Sequence, residues 1–325
     1  MSLTSDQIQA FYDEIDYWPS TDRPPYRPRE LHIPLMLSTI YDDNLKNNIK
    51  KENNRLILDL DASLCRYLAP VLLHESLFLF YKGFYNYLAA RSLYFGGMLH
   101  WRNISLYYAR FFFAKSISVL AGRHNYRINK YIDYFINDIS YRLAGTGNPK
   151  SYYSMRIEVE FENDCGKIIF DKKGIKSHKV VWKDYSELQV ENLGLYCLLP
   201  KVTKDNGELD ISYLSDERNR ENYSFEGYMQ LDFNLPLRTF QQYFERDRLK
   251  HEANIIFDFE SSDVLQAFSS QLNLFKKFKI NNMPIEKEKF AYMIDYCLPE
   301  SEAKQSLLML CNEGFPTLDP DLPSF

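Results

Sequence analysis

Between Phe78 and Phe113, 14 of 36 residues are Phe, Tyr or Trp, set at helical rather than alternating intervals. Each ring brings a large apolar area, so a helix carrying many of them needs neighbours on more than one side. The surrounding stretch from Tyr67 to Leu99 is apolar enough to suggest a membrane span. His74, Glu75, Lys82 and Arg91 interrupt it, however, and no uncharged window reaches the ~18 residues that a crossing helix requires. A buried helical core, with no membrane insertion, is the expected outcome. The 325-residue chain holds 25 Tyr and 23 Phe against 12 Gly. That balance permits a large core, divided between two domains, and disfavours folds that rest on glycine-rich phosphate loops.

Residues 1–62 read as an extended arm and a short helix, because Pro19, Pro24, Pro25, Pro28 and Pro34 fix φ and remove N–H donors. The polar stretch Asp42 to Asn54 reads as a helix end and loop. Residues 63–148 read as a helical bundle. Its first helix runs from about Pro70 to His100 and bends near Gly96-Gly97. The second runs from Asn103 to Leu120 and stops at a left-handed Gly122. The third runs from Ile128 to Leu143, and GTGNP closes the bundle.

After Pro149 the period changes. Met155, Ile157, Val159 and Phe161 alternate with Arg156, Glu158, Glu160 and Glu162, the mark of a half-buried strand. Turns at NDCG and DKKG then predict KIIF and KVVW as its partners in a three-stranded meander. YMQLDFN and NIIFDF read as further strands. Helices starting near Pro236, Ser261 or Ser262, Pro284 and Pro299 flank them. The expected fold class is α+β: an aromatic-rich N-terminal bundle, then a mixed domain over residues 149–325 with an antiparallel meander and flanking helices.

Charge and cysteines narrow the function classes. There are 39 basic and 44 acidic residues, a net of −5, so the chain as a whole has no drive toward nucleic acid or anionic membrane. Cys65, Cys165, Cys197, Cys297 and Cys311 are odd in number and widely spaced, as reduced thiols in the cytoplasm are. No His/Cys spacing suits zinc, and no metal or cofactor is implied. The start, MSLTSDQIQAFYDEIDYW, lacks the basic and apolar regions of a signal peptide.

The segment NISLYYARFFFAKSISVLAGRHNYRINKYIDY, Asn103 to Tyr134, resembles the central helices of HEPN-like domains, helical bundles common in prokaryotic toxin–antitoxin and antiviral systems. Ser105, Tyr107, Tyr108, Ala109, Phe111, Phe112, Ala114, Gly122 and His124 occupy the places of that pattern, and YNYLAARSLYFGG is similar to the helix before it. The resemblance implies a bundle and a homodimer formed through the aromatic helices. Ribonuclease members of the family place an Arg four to six residues before a His. Here Arg91 precedes His100 by nine residues and Arg123 abuts His124.

Candidate chemistry gathers at two places. In His100-Trp101-Arg102-Asn103, Arg102 can hold a phosphate while Trp101 stacks on a base, with Arg110 as a companion on the Asn103 face. The plainer reading has Asn103 capping a helix, Trp101 packed and Arg102 solvated. In GRHNYR, His124 with Arg123 and Arg127 offers phosphate contacts, or is a charged surface loop. A third pattern, Asp59-x-Asp61 after RLIL, resembles the nucleophile motif of haloacid-dehalogenase-like phosphatases, which requires a parallel α/β setting. Its plainer reading is a helix cap at Asp61 or Ser63.

Together these readings predict a cytoplasmic, non-catalytic or weakly catalytic component of a prokaryotic defence or toxin-like system. It is expected to bind a protein partner or RNA and to self-associate. The alternatives are a metal-independent ribonuclease using His100 or His124 with Arg102 or Arg110, and an Asp-dependent phosphatase.

Overall fold

The structure, a computed structural model, describes residues 48–52, 55–60, 62–95, 99–127, 154–162, 165–173 and 177–188, with scattered positions between 190 and 308. The elements are β1 (Ile49–Glu52), β2 (Arg55–Leu60), α1 (Ala62–Phe95), α2 (Leu99–Leu120), β3 (Arg123–Arg127), β4 (Ser154–Glu162), β5 (Cys165–Lys173) and α3 (Ser177–Glu187). Helices plus an antiparallel sheet make the fold α+β. The Pro-rich arm, the predicted helix 128–143 and the predicted strands 228–234 and 254–259 lie outside the described residues. So do the helices expected to begin at Pro236, Pro284 and Pro299, apart from isolated positions.

The chain divides into two compact units. One comprises Met1–Leu79 with Ala114–Gln189, the other Phe80–Phe113 with Val190–Phe325. The helices α1 and α2 each contribute one end to each unit.

In the first unit the described strands form one sheet in the order β1-β2-β5-β4-β3, antiparallel at every step. Strand β5 is central, and its Ile168, Ile169 and Phe170 are all buried rather than alternating. Strand β2 does alternate: Leu56, Leu58 and Leu60 are buried while Arg55 and Asp59 are exposed. The register pairs Glu162 with Cys165 and Glu52 with Arg55, so each hairpin is joined by two residues.

Three local expectations are corrected. KVVW is not a strand but part of α3. Its β-branched residues belong to a longer apolar pattern of helical period, with Val180, Val181, Asp184, Tyr185 and Leu188 buried while Lys183 and Glu187 are exposed. The stretch before Asn54 contains strand β1, which pairs with the strongly alternating β2. Helix α1 starts at Ala62, not Pro70, and ends at Phe95. Burial of Leu68, Val71 and Leu72 around Pro70 outweighs the lost N–H donor. The expected stop of α2 is observed: Gly122 has φ 76° and its N–H donates to the Val119 carbonyl at 2.9 Å.

The helices approach closely through small residues. In the first unit the Ser76 hydroxyl donates to the Ser116 carbonyl at 2.8 Å, and the Ser116 hydroxyl donates to the Ser76 carbonyl at 2.7 Å. In the second unit a Cβ on Gly83 would stand 2.8 Å from the buried Phe113 ring and 3.2 Å from the Ala109 carbonyl.

The second unit adds the described positions of 263–275, all helical. Val264, Ala267, Phe268, Gln271, Leu274 and Phe275 are buried at helical spacing. Phe268 stacks on Phe84 at 4.3 Å and on Phe80 at 5.1 Å, and Phe275 meets Phe80 edge-on at 5.3 Å. Much of the aromatic excess of the long helices is therefore consumed inside this unit.

Gly83 is the tightest point of this packing. A Gly83→Ala substitution raises intrinsic helix propensity by about 1 kcal/mol, but overpacking against Phe113 costs about 1–3 kcal/mol. The expected net result is a lower midpoint of urea unfolding. An unchanged or higher midpoint would show that the helices can separate freely here.

Candidate functional site

The two candidate clusters fall in different units. In the first unit, Gly122 turns the chain directly from α2 into β3, which places His124 on the second residue of that strand. His124 is 1% exposed, and its Nε2 hydrogen-bonds Glu75 Oε1 on α1. This corrects the surface-loop reading of GRHNYR. A carboxylate fixing one ring nitrogen is the arrangement that sets an imidazole's orientation and tautomer. Here it also satisfies a carboxylate that is 7% exposed and would otherwise be costly to bury.

Arg123, beside it, donates to the Asp184 carbonyl at 3.2 Å and pairs with Glu187 at 3.1 Å, tying β3 to α3. Arg127 closes β3 opposite Ser154. His124 and Arg123 thus act as internal connectors. Nothing in the sequence window GRHNYR marks Glu75 as the partner. The signal was its position: Glu75 is the sole acid of α1 and interrupts an otherwise apolar face.

In the second unit, α2 begins at Leu99, so His100, Trp101, Arg102 and Asn103 lie inside its first turns rather than in a joint. Asn103 is exposed and does not start the helix. Both halves of the plainer reading are reversed, since Trp101 is 55% exposed whereas Arg102 is 5% exposed. Helix geometry is the reason, because adjacent residues point about 100° apart and Arg102 shares its face with Leu106 and Ala109. Arg102 Nη1 donates to Asn103 Oδ1 at 3.4 Å. Arg91 on α1 is likewise buried. Arg110 is bound by Asp263, at 2.8 Å from Nη2 and 3.0 Å from Nε.

The outward faces of the same unit are aromatic. On α2, Trp101, Ser105, Tyr108 and Phe112 follow at intervals of four, three and four residues and are all exposed or half-buried. Tyr108 and Phe112 lie nearly parallel, 6.1 Å apart. On α1, Lys82 and Tyr85 are exposed, and the Lys82 ammonium sits 4.5 Å from the centre of the Phe112 ring.

One further signal in the sequence connects these cations. From Ser76 to Ile132 there is no Asp or Glu, while Lys82, Arg91, Arg102, Arg110, Lys115, Arg123, Arg127 and Lys130 all fall there. Taking those eight from the total of 39 leaves 31 basic residues against 44 acidic ones elsewhere. The acidic average of the chain hides a basic, aromatic segment. Within it no helical ion pair between neighbouring turns can form, so Arg110 and Arg123 draw carboxylates from Asp263 and Glu187, far along the chain.

Asp59, the candidate phosphatase nucleophile, is exposed on β2 and pairs with Lys50 at 2.6 Å. Its strand is flanked by antiparallel neighbours, not a parallel α/β sheet, and Asp61 lies outside the described residues. The hydrogen bond to Asp59, then its charge, raises the Lys50 pKa above the ordinary value. A raised lysine stabilises the fold below its unfolded pKa, and that contribution is lost only as alkaline pH passes the folded value.

No group of His, Cys, Asp and Glu suited to a metal ion occurs among the described residues, and no described helix is long and apolar enough to cross a membrane. No known family model, curated protein or solved structure matches the chain.

The His124–Glu75 pair is a strong test of its internal role. Replacing His124 by Ala strands a buried carboxylate and is expected to lower unfolding free energy by about 3 kcal/mol. Adding Glu75→Ala should cost less than the sum of the single changes. Chemical denaturation of the three variants measures this, and additive losses would contradict the direct coupling.

Proposed function

We propose that this protein is an RNA-binding, non-catalytic component of a prokaryotic defence or toxin-like system. The observation that carries the reading is the acid-free run from Ser76 to Ile132, with eight Lys or Arg among its aromatic residues. The run brings no acid of its own to oppose a polyanion, even though the whole chain is negative, and Lys82 within it is exposed. The resemblance of Asn103 to Tyr134 to HEPN-like helices supplies the defence or toxin-like setting. The burial of His124 supports binding over cleavage, because an acid/base group must reach the hydroxyl that it deprotonates.

The rival reading is a ribonuclease. It draws on the His124–Glu75 hydrogen bond, which orients an imidazole as acid/base catalysis requires. The two are separated by incubating the protein with total cellular RNA and following both gel mobility and chain length. The expected result is retarded, intact RNA, with retardation weakening between about 50 and 200 mM salt, as phosphate contacts do. Cutting that disappears in His100→Ala or in the shape-conserving His124→Gln would overturn the non-catalytic reading.

A further inference from the structure

We infer that the outward stripe of α2 formed by exposed Trp101 and half-buried Tyr108 and Phe112, with exposed Lys82 and Tyr85 of α1, is a stacking platform for single-stranded RNA. The inference rests on the RNA-binding reading and specifies where the strand lies and which form of RNA is taken.

The rings form a track rather than scattered apolar contacts. Trp101, Tyr108 and Phe112 occupy one helix stripe about 16 Å long at 1.5 Å per residue. Trp101 is 55% exposed and Tyr85 57% exposed, unusual values for residues so rich in apolar surface. Lys82 over Phe112 fixes the level of the two helices. Tyr85, three residues further along α1, and Tyr108, one turn earlier on α2, therefore stand at matching heights of an antiparallel pair.

Charge decides among the occupants. Neither α1 beyond Glu75 nor any part of α2 contains an acid, so no carboxylate on these helices repels a phosphate or recruits a basic protein segment. Lys82 is exposed and its contact is a ring face rather than a carboxylate. Every base has a π-face, so a flat aromatic track takes unpaired bases with little sequence preference. Paired bases are stacked within a duplex and cannot lie on it. The Tyr85 and Tyr108 hydroxyls and the exposed Asn103 amide beside Trp101 supply hydrogen-bonding groups for a 2′-hydroxyl, which favours RNA over DNA.

The test is fluorescence anisotropy with a labelled, unstructured RNA of about twelve nucleotides, within the usual span of such sites. Its duplex and the single-stranded DNA of the same sequence serve as competitors. Tightest binding to the single-stranded RNA is expected. Trp101→Ala and Tyr108→Ala should each weaken it about tenfold to a hundredfold, while Trp101→Phe retains most of the affinity. Lys82→Gln should reduce the slope of log affinity against log salt by about 0.7, the loss of one phosphate contact on a single strand. Trp101 and Lys82 are exposed and Tyr108 is half-buried, so unchanged circular dichroism and urea midpoint identify the variants that remain folded.

If RNA binds but the aromatic variants are unaffected, or duplex competes equally, the stacking platform is refuted and the RNA-binding reading survives. Tighter binding of the DNA refutes the assignment to RNA. If no RNA binds, that reading itself fails. A dimer that Trp101→Ala dissociates, with no RNA binding, would give the face to a second copy of the chain.

Discussion

The close approach of α1 and α2 is the constraint from which most of this protein follows. At Gly83 the absence of a side chain lets α1 settle against Phe113 and the Ala109 carbonyl, at distances where a Cβ would collide. Ser76 and Ser116 achieve the same closeness in the other unit by exchanging hydroxyl–carbonyl hydrogen bonds. Helices packed through small residues have their bulky residues driven to the flanks. On the buried flank, Phe80, Phe84 and Phe113 receive Phe268 and Phe275. On the open flank, the same geometry leaves Trp101, Tyr108, Phe112 and Tyr85 turned outward.

A second constraint is electrostatic. Long helices usually neutralise their cations with acids one turn away, and these two do not. Most of the described cations are met in other ways. Arg110 and Arg123 are paired with carboxylates brought by the fold, Arg91 and Arg102 are buried, and Lys82 lies on an aromatic face.

Features with a strict local period were legible in the sequence. The stop of α2 at Gly122 and the pairing of MRIEVEFE with the KIIF strand follow from turn chemistry and hydrophobic period, and both are present. KVVW misled because four residues are too few to separate period two from period 3.6, and its helical character appears only once Asp184, Tyr185 and Leu188 are included. The site was less legible. Reading His100-Trp101-Arg102-Asn103 as a joint inverted the exposure of Trp101 and Arg102, since inside a helix Arg102 falls on the buried face of Leu106 and Ala109 and Trp101 about 100° away from it. His124 was visible as a candidate, but its partner Glu75 is 49 residues away and only tertiary structure joins them.

The helical positions of 263–275 also fix an order of events in the life of the chain. Phe80, Phe84 and Phe113 are synthesised early, yet Gln271, which donates to the Phe113 carbonyl, follows 158 residues later. At a synthesis rate of about 5–20 residues per second, roughly ten to thirty seconds separate these rings from the segment that covers them. During that interval Phe80 and Phe84 lack the Phe268 and Phe275 rings that they meet in the folded protein. The packing of Phe80 and Phe84 against Phe268 and Phe275 is therefore completed only late in synthesis, after both long helices have been made.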